Sequence, residues 1–133
     1  MSTEVVYKKL KSALNNRGFK IKSNDEDNNI FIAFNTSNKP VSILILVEMN
    51  GRTIQFYSKI KDMVATDRYL KPLLQENNEY KFVKWSINEK KEIVCTIDLF
   101  TYENNIKEQD IVSILELIVS SHVRINEKIK LIN

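Results

Sequence analysis

Residues 41–60, VSILILVEMNGRTIQFYSKI, form two apolar-rich runs joined by Asn50-Gly51. An Asn-Gly pair between β-branched runs is the strongest short-range signal for a β-hairpin, because both central residues of a type I′ turn need a positive φ. A two-residue turn also fixes the register of the two strands. The predicted pairs are Met49 with Arg52, Val47 with Ile54, Ile45 with Phe56, Ile43 with Ser58 and Val41 with Ile60.

Strand alternation gives this hairpin two faces of different character. One face is almost wholly apolar and is expected to pack in the core. The other face mixes polar groups with Leu44, Leu46 and Tyr57. An exposed apolar strip of this kind usually marks contact with another protein, whereas helix two or the N-terminal tail could instead cover it within the monomer. The strip is predicted to contain Phe31, Ala33, Leu44, Leu46 and Tyr57, extended by Phe82, Val94 and Phe100 if the second hairpin continues the sheet.

The totals are those of one ordinary globular domain. The chain has 133 residues, of which 43% are apolar and 28% charged, with only 2 Gly and 2 Pro. This length suffices for a core without a metal or disulfide staple, and the single cysteine excludes an internal disulfide. No apolar run is long enough to cross a membrane, and Lys8 and Lys9 interrupt any signal-peptide core. We therefore expect one domain over residues 1–133, in the cytoplasm and without a membrane partner.

The charge balance is mildly basic. The formal net charge is +3 at pH 7 and the isoelectric point is near 8.9. A dedicated nucleic-acid binder is expected to carry a denser stripe of lysine and arginine. The charge therefore permits anionic partners without requiring them.

The order of predicted elements is αβββαββα. Helix one is expected to begin near Thr3 as its N-cap and to end in a Schellman motif with Gly18 in the left-handed conformation. Asn105 and Glu108 resemble a capping box at the start of helix three. The remaining predicted elements are a strand at 30–34, the central hairpin, helix two at 68–77 and a second hairpin at 82–87 and 93–100. This order predicts an α+β fold: one antiparallel sheet of about five strands, with the N- and C-terminal helices covering one face.

Catalytic and metal-binding patterns are absent from the sequence. His122 is the sole histidine and lies on the apolar stripe of helix three, where a packed residue with one hydrogen bond is expected. Cys95 lies on the inward face of a strand and is interpreted as a small buried hydrophobe. Both glycines are used by turns, so no phosphate-binding loop is available. We therefore predict no catalytic residues, no metal and no cofactor.

Two other functions remain open at this point. Tyr57 and neighbouring lysines could stack and hold single-stranded nucleic acid, which would require affinity that falls steeply with salt. Glu48 and Asp98 project from strands onto the outward face and could act as an acid/base pair in a sheet-lined cleft. Nucleic acid is the less expected partner, because acidic residues lie among the few cations near this face.

A family resemblance adds to this interpretation. The stretch LKPLLQENN at 70–78 gives a short leucine helix ending in asparagine, followed by strands at 82–87 and 93–100 and an acid-capped helix from Glu108. This pattern resembles the YbjN-like proteins, bacterial relatives of the type III secretion chaperones. It covers about half the chain closely and the rest by element order.

The resemblance implies a non-enzymatic, chaperone-like α+β domain. Such proteins commonly form homodimers and present apolar sheet and helix patches to extended segments of client proteins. By this resemblance, the dimer element is helix two, with Leu70, Leu73 and Leu74. The partner-binding residues are Phe31, Leu44, Leu46 and Tyr57, and the partner is a protein or peptide client.

Overall fold

The computed structural model describes residues 2–36, 39–101 and 106–133, and these residues form three α-helices and six β-strands. The helices are α1 (Thr3–Asn16), α2 (Leu70–Glu79) and α3 (Glu108–Ile132). The strands are β1 (Ile21–Asn24), β2 (Asn29–Asn35), β3 (Pro40–Glu48), β4 (Thr53–Lys59), β5 (Lys84–Ile87) and β6 (Ile93–Phe100).

All six described strands belong to one antiparallel sheet with the order β1-β2-β3-β4-β6-β5. Helices α1 and α3 pack on β3 and on each other, so they cover one face of the sheet. The core lies between these two layers. This arrangement confirms the predicted α+β class and the covering role of the N- and C-terminal helices.

The central hairpin has the predicted register. Val47 pairs with Ile54 and Leu44 with Tyr57. The Arg52 amide donates to the Met49 carbonyl at 3.1 Å, and Asn50 and Gly51 have φ values of 57° and 81°, as a type I′ turn requires. Met49 also has a positive φ, so the ladder stops at Glu48 and Thr53, one pair earlier than predicted. At its other end the ladder stops at Ile43 and Ser58, so the predicted pair of Val41 with Ile60 lies outside it.

Gly51 is required at this turn for a second reason. A Cβ atom built on Gly51 would lie 2.8 Å from Val6 Cγ2 and 2.9 Å from the Ser2 carbonyl oxygen. The turn therefore touches the first turn of α1. This contact holds the N-terminal helix against the end of the central hairpin.

The two ends of α1 differ in how well the sequence predicts them. The predicted Schellman motif is confirmed, because the amides of Gly18 and Phe19 donate to the carbonyls of Asn15 and Leu14 at 3.0 and 3.2 Å. The N-cap is Ser2 rather than Thr3: the Ser2 hydroxyl oxygen accepts from the Val5 amide at 3.2 Å. The helix begins at Thr3, as expected, and its cap lies one residue earlier than predicted.

Strand β1 is absent from the sequence prediction, in which the first strand is the one at 30–34. In the structure Ile21–Asn24 pairs with β2 in a hairpin. Asn24 shapes its turn, since the side chain donates to Asp27 at 2.7 Å and accepts from the Glu26 amide at 3.1 Å. An edge strand needs no apolar alternation, and this explains why it was missed.

Helix α2 and strand β5 begin two residues later than expected. A 3₁₀ turn, Asp67–Tyr69, precedes the helix, and Pro72 lies in the first helical turn, where its missing N–H has no intrahelical partner to lose. The predicted strand at 82–87 begins at Lys84, so Phe82 precedes the ladder.

Asn77 of α2 closes the outer edge of the sheet at β5. Its side chain accepts from the Trp85 amide at 2.6 Å and donates to the Trp85 carbonyl at 2.8 Å. One side chain thus takes the place of a neighbouring strand. Because unpaired strand edges promote association, this contact both fixes α2 and protects the edge.

The predicted apolar stripe of α3 is confirmed, since its residues are buried against the core. Asn105, which was expected to cap this helix, lies outside the described residues. The helix also carries cations that pair with a buried carboxylate on α2: Glu76 accepts from Arg124 at 2.6 Å and from Lys128 at 3.0 Å. This cluster joins α2 to α3. The buried stripe consists of Ile111, Leu115, Ile118, His122 and Ile125.

Candidate protein-binding face

The face of the sheet opposite α1 and α3 carries one row of residues in register across all six described strands. At its centre Phe31 pairs with Leu44, and Leu44 pairs with Tyr57. Each of these two pairs joins adjacent strands with Cβ atoms about 4.5–5.5 Å apart, and Leu44 lies between Phe31 and Tyr57. The structure therefore brings three of the predicted partner-binding residues together. The complete row is Lys22, Phe31, Leu44, Tyr57, Thr96 and Lys84.

The residues of this row stay accessible in the monomer. Phe31 is 39% exposed, and Leu44 and Tyr57 are half-buried. Their neighbours in sequence, Ile45 and Phe56, are fully buried on the other face. Helix α2, which the sequence left as a possible cover, packs instead on β5 and α3.

Leu46 lies on the same face in the next row along β3. It is half-buried and pairs with Asn29 and Gln55. Leu46 therefore extends the apolar surface beyond the central row, and its neighbours on the adjacent strands are polar. We refer to Phe31, Leu44, Leu46 and Tyr57 together as the open-face strip.

The three residues expected to extend this strip behave differently. Phe100 is exposed and pairs with Thr53 at the far end of the sheet. Phe82 is exposed but precedes β5. Val94 is buried and pairs with Ser86 and Lys59. The open-face strip is therefore confined mainly to β2, β3 and β4.

Charges on this face lie at its margins. Lys22 and Lys84 end the central row, and the sequence did not place Lys22 here because β1 was not predicted. Glu48 and Asp98 lie on strands separated by β4 and in different rows. From strand spacing their Cα atoms are about 12 Å apart.

The predicted dimer residues on α2 do not share one environment. Leu70 and Leu74 are 44% and 66% exposed, one helical turn apart. Leu73 is only 3% exposed and belongs to the core. On this helix a second subunit would therefore meet Leu70 and Leu74, while Leu73 stabilises the monomer.

A buried polar pair lies on the helix-covered side of the sheet. The Ser58 hydroxyl donates to the Ser42 carbonyl at 2.6 Å and lies 2.8 Å from His122 Nε2. Because Ser58 has one proton, it must accept the Nε2 hydrogen of His122. A nucleophilic serine would instead give its proton to histidine, so this pair has the wrong direction for catalysis.

Burial sets the protonation states of His122 and of the nearby Cys95. Burial lowers the pKa of His122 from 6.5 to about 4, so its imidazole is neutral at pH 7. Burial also raises the pKa of the Cys95 thiol, which keeps it protonated and unreactive. The edge of the Trp85 ring packs against His122, with ring centroids 5.1 Å apart. These placements confirm His122 as a packed residue and Cys95 as a buried hydrophobe.

The part of the chain that the structure describes contains neither a metal-ligand cluster nor a membrane-spanning helix. No group of three or more His, Cys, Asp or Glu side chains converges among residues 2–36, 39–101 and 106–133. None of the helices formed by these residues is both long and apolar enough to cross a bilayer.

The fold and this face define a small α+β domain with one helix-covered and one open sheet face. The chain has the fold of YbjN from E. coli, which is described as a candidate transcription regulator. The two structures align with a TM-score of 0.63 at 13% sequence identity, over 90% of this chain and 88% of that one. This likeness confirms the expected YbjN-like fold. No protein-family model matches the chain, and no curated protein sequence matches it.

Proposed function

We propose that this protein is a non-enzymatic, chaperone-like binding domain of the cytoplasm that presents its open sheet face to a partner polypeptide. The observation that carries this proposal is the in-register row Phe31–Leu44–Tyr57. These side chains lie on adjacent strands and stay accessible beside a core that is otherwise closed. An apolar row of this kind offers a contact for apolar side chains of an extended segment.

The direction of the Ser58–His122 hydrogen bond supports a non-enzymatic role. The serine proton is already given to a backbone carbonyl, and the histidine is neutral and buried. Ser58 and His122 therefore take part in the packing of the core. Glu48 and Asp98 lie on strands that do not pair with each other.

Pairing of two copies through α2 is part of this proposal. Leu70 and Leu74 expose apolar surface on one side of that helix. A dimer joined there would leave the open-face strip available, because α2 packs at the β5 edge and on α3. We expect Leu70→Glu with Leu74→Glu to give a monomer by light scattering, with the fold retained. An unchanged oligomeric state would contradict this interface.

A second function is favoured by one observation. Lys22 and Lys84 end the same row that contains Phe31 and Tyr57, so cationic groups flank the aromatic ones along one line. Single-stranded nucleic acids bind to surfaces with this combination. The description of YbjN as a candidate transcription regulator agrees with such a role.

A capture experiment separates these two functions. Tagged protein is incubated with lysate of its own cells, with and without nuclease and at low and high salt, and the bound material is identified by mass spectrometry. Leu44→Glu tests the face, and Leu117→Glu places the same change on an exposed residue of α3. Both variants are first compared with the wild type by circular dichroism.

A polypeptide that resists nuclease and salt, and is lost with Leu44→Glu but kept with Leu117→Glu, supports protein binding. Material that disappears with nuclease or high salt supports the nucleic-acid function, because counterion release makes such binding salt-dependent. Capture that is equal for Leu44→Glu and the wild type contradicts both uses of this face.

A further inference from the structure

A separate recess lies where β3 begins and β4 ends, beside the C-terminal half of α3. Its volume is about 250 Å³. His122 and Asn126 of α3 line it together with Lys39, Lys61 and Asp62 from the ends of the central hairpin. It is thus distinct from the open-face strip, and nothing proposed for that strip depends on it.

Two buried polar side chains form the floor of this recess. His122 and Asn126 are one helical turn apart and only 3% and 7% exposed. The Asn126 amide makes no hydrogen bond with any residue that the structure describes, and its atoms are not sealed from solvent. The amide is therefore open to a hydrogen bond with a group inside the recess, either water or a ligand.

The hydrogen-bond direction at Ser58 fixes what the floor offers. Because Ser58 accepts the Nε2 hydrogen of His122, the neutral ring carries a lone pair on Nδ1. No described residue bonds that nitrogen. Of the polar side-chain atoms of these two lining residues, His122 Nδ1 and the Asn126 amide are the ones that form no hydrogen bond within the described residues. A hydroxyl group matches this pair, since it can donate to one and accept from the other.

The mouth of the recess is basic. Lys39 and Lys61 form no ion pair with the described residues, whereas Lys59 is paired with Glu92 at 2.7 Å. Asp62 is the one carboxylate among the described lining residues. Two uncompensated lysines beside one carboxylate favour an anionic group at the mouth.

We propose that this recess binds a small molecule with a hydroxyl group at one end and a phosphate or carboxylate at the other. The hydroxyl group bonds His122 Nδ1 and the Asn126 amide, and the anionic group lies between Lys39 and Lys61. The volume is slightly below the roughly 300–1,000 Å³ of drug-sized sites, so the ligand is the size of a small metabolite.

The sole histidine provides a direct probe of this site. The ¹⁵N resonances of the His122 imidazole are followed by NMR while glycerol 3-phosphate or glycerate is added. We expect a saturable shift of Nδ1 with at least one of them, and the tighter ligand identifies the preferred anionic group. Glycerol and inorganic phosphate are each expected to bind at least tenfold more weakly, because each reaches only one end of the site.

Variants distinguish the two ends of the recess. Asn126→Leu is expected to weaken binding about tenfold through the loss of a hydrogen bond. Lys39→Ala with Lys61→Ala is expected to weaken it at low salt and to remove most of its salt dependence. Lys71→Ala, at an exposed lysine on α2, is the matched control and should leave affinity unchanged.

Two results would overturn the proposal. One is a His122 Nδ1 resonance that does not move with either full probe at tens of millimolar. The other is inorganic phosphate binding as tightly as glycerol 3-phosphate, since the lysines alone would then account for the site. The double variant Lys39→Ala with Lys61→Ala changes only exposed side chains and is expected to fold. It therefore still tests the site if Asn126→Leu does not fold.

Discussion

The two faces of the sheet are formed by the same strands in the same register, yet one face forms the core and the other stays accessible. On the covered face Ile45 and Phe56 pair and are fully buried under α1 and α3. On the open face their neighbours Leu44 and Tyr57 also pair, but remain half-buried without a helix above them. Alternation alone therefore places apolar residues on both faces, and only the packing of the helices decides which face becomes the core.

This difference shows how a surface function is distinguished from a structural one. Apolar residues on the covered face are accounted for by the core they form. The apolar residues of the open-face strip do not pack in a core within the described chain. A face that only meets solvent could consist of polar residues, like the rows beside the strip. Substitutions that compare the two faces at adjacent positions test this distinction.

The largest effect is expected from truncating neighbouring residues of β3 on opposite faces. Ile45→Ala removes a fully buried side chain and should lower the free energy of unfolding by about 3 kcal/mol. Leu46→Ala, one residue further, should lower it by about 1 kcal/mol. Urea unfolding of both variants measures this, and equal losses would mean that the open face is packed like the core.

A second substitution tests the buried carboxylate of Glu76, which joins α2 to α3. Glu76 is fully buried between Arg124 and Lys128, each about three-quarters buried. Glu76→Gln should cost about 2 kcal/mol, because the two cations lose their carboxylate but can still reach water. Glu79→Gln is the control: Glu79 is exposed and 3.8 Å from Lys128, so a change under about 0.5 kcal/mol is expected. A neutral Glu76→Gln would show that the cluster does not hold α2.

The pH dependence of stability tests the packing of His122. Burial lowers its pKa from 6.5 to about 4, so the unfolded chain takes up a proton at higher pH than the folded one. Stability should therefore be lost as pH falls from 6.5 towards 4, by about 2 kcal/mol at pH 5 relative to pH 7.5. His122→Gln should flatten this range. Because there is one histidine, an equally steep profile in that variant would assign the effect elsewhere.

The smallest of these stability effects is expected at the edge of the sheet. Asn77→Ala removes both hydrogen bonds to Trp85 and should cost about 1–2 kcal/mol. Asn78→Ala, at the next and exposed position, should cost less than about 0.5 kcal/mol. If the two variants unfold alike, α2 does not depend on this contact.

The sequence predicts the central hairpin well because its information is local. Asn50-Gly51 fixes the turn, and alternation then assigns every residue to a face without reference to the rest of the chain. The Schellman motif at Gly18 is equally local, and so is the stripe of α3. These elements set the fold class, and the hairpin provides Leu44, Leu46 and Tyr57 of the open-face strip.

The features that the sequence did not predict depend on distant partners. Strand β1 contains one apolar residue, Ile21, and is formed by pairing with β2. The burial of Glu76 depends on cations about 50 positions away on α3. One signal for the recess was nevertheless available: the hairpin register, continued past its strands, brings Lys39 next to Lys61 and Asp62. The approach of α3 to these residues required the structure.

The most direct test of the central claim measures binding and folding in one variant. Leu46→Glu is compared with Leu117→Glu and the wild type, by titration against the captured partner and by urea unfolding. The account predicts that Leu46→Glu weakens binding at least tenfold, while unfolding stays cooperative and within about 1 kcal/mol of the wild type. Loss of folding with Leu46→Glu would place Leu46 in the core and contradict a binding role for this face.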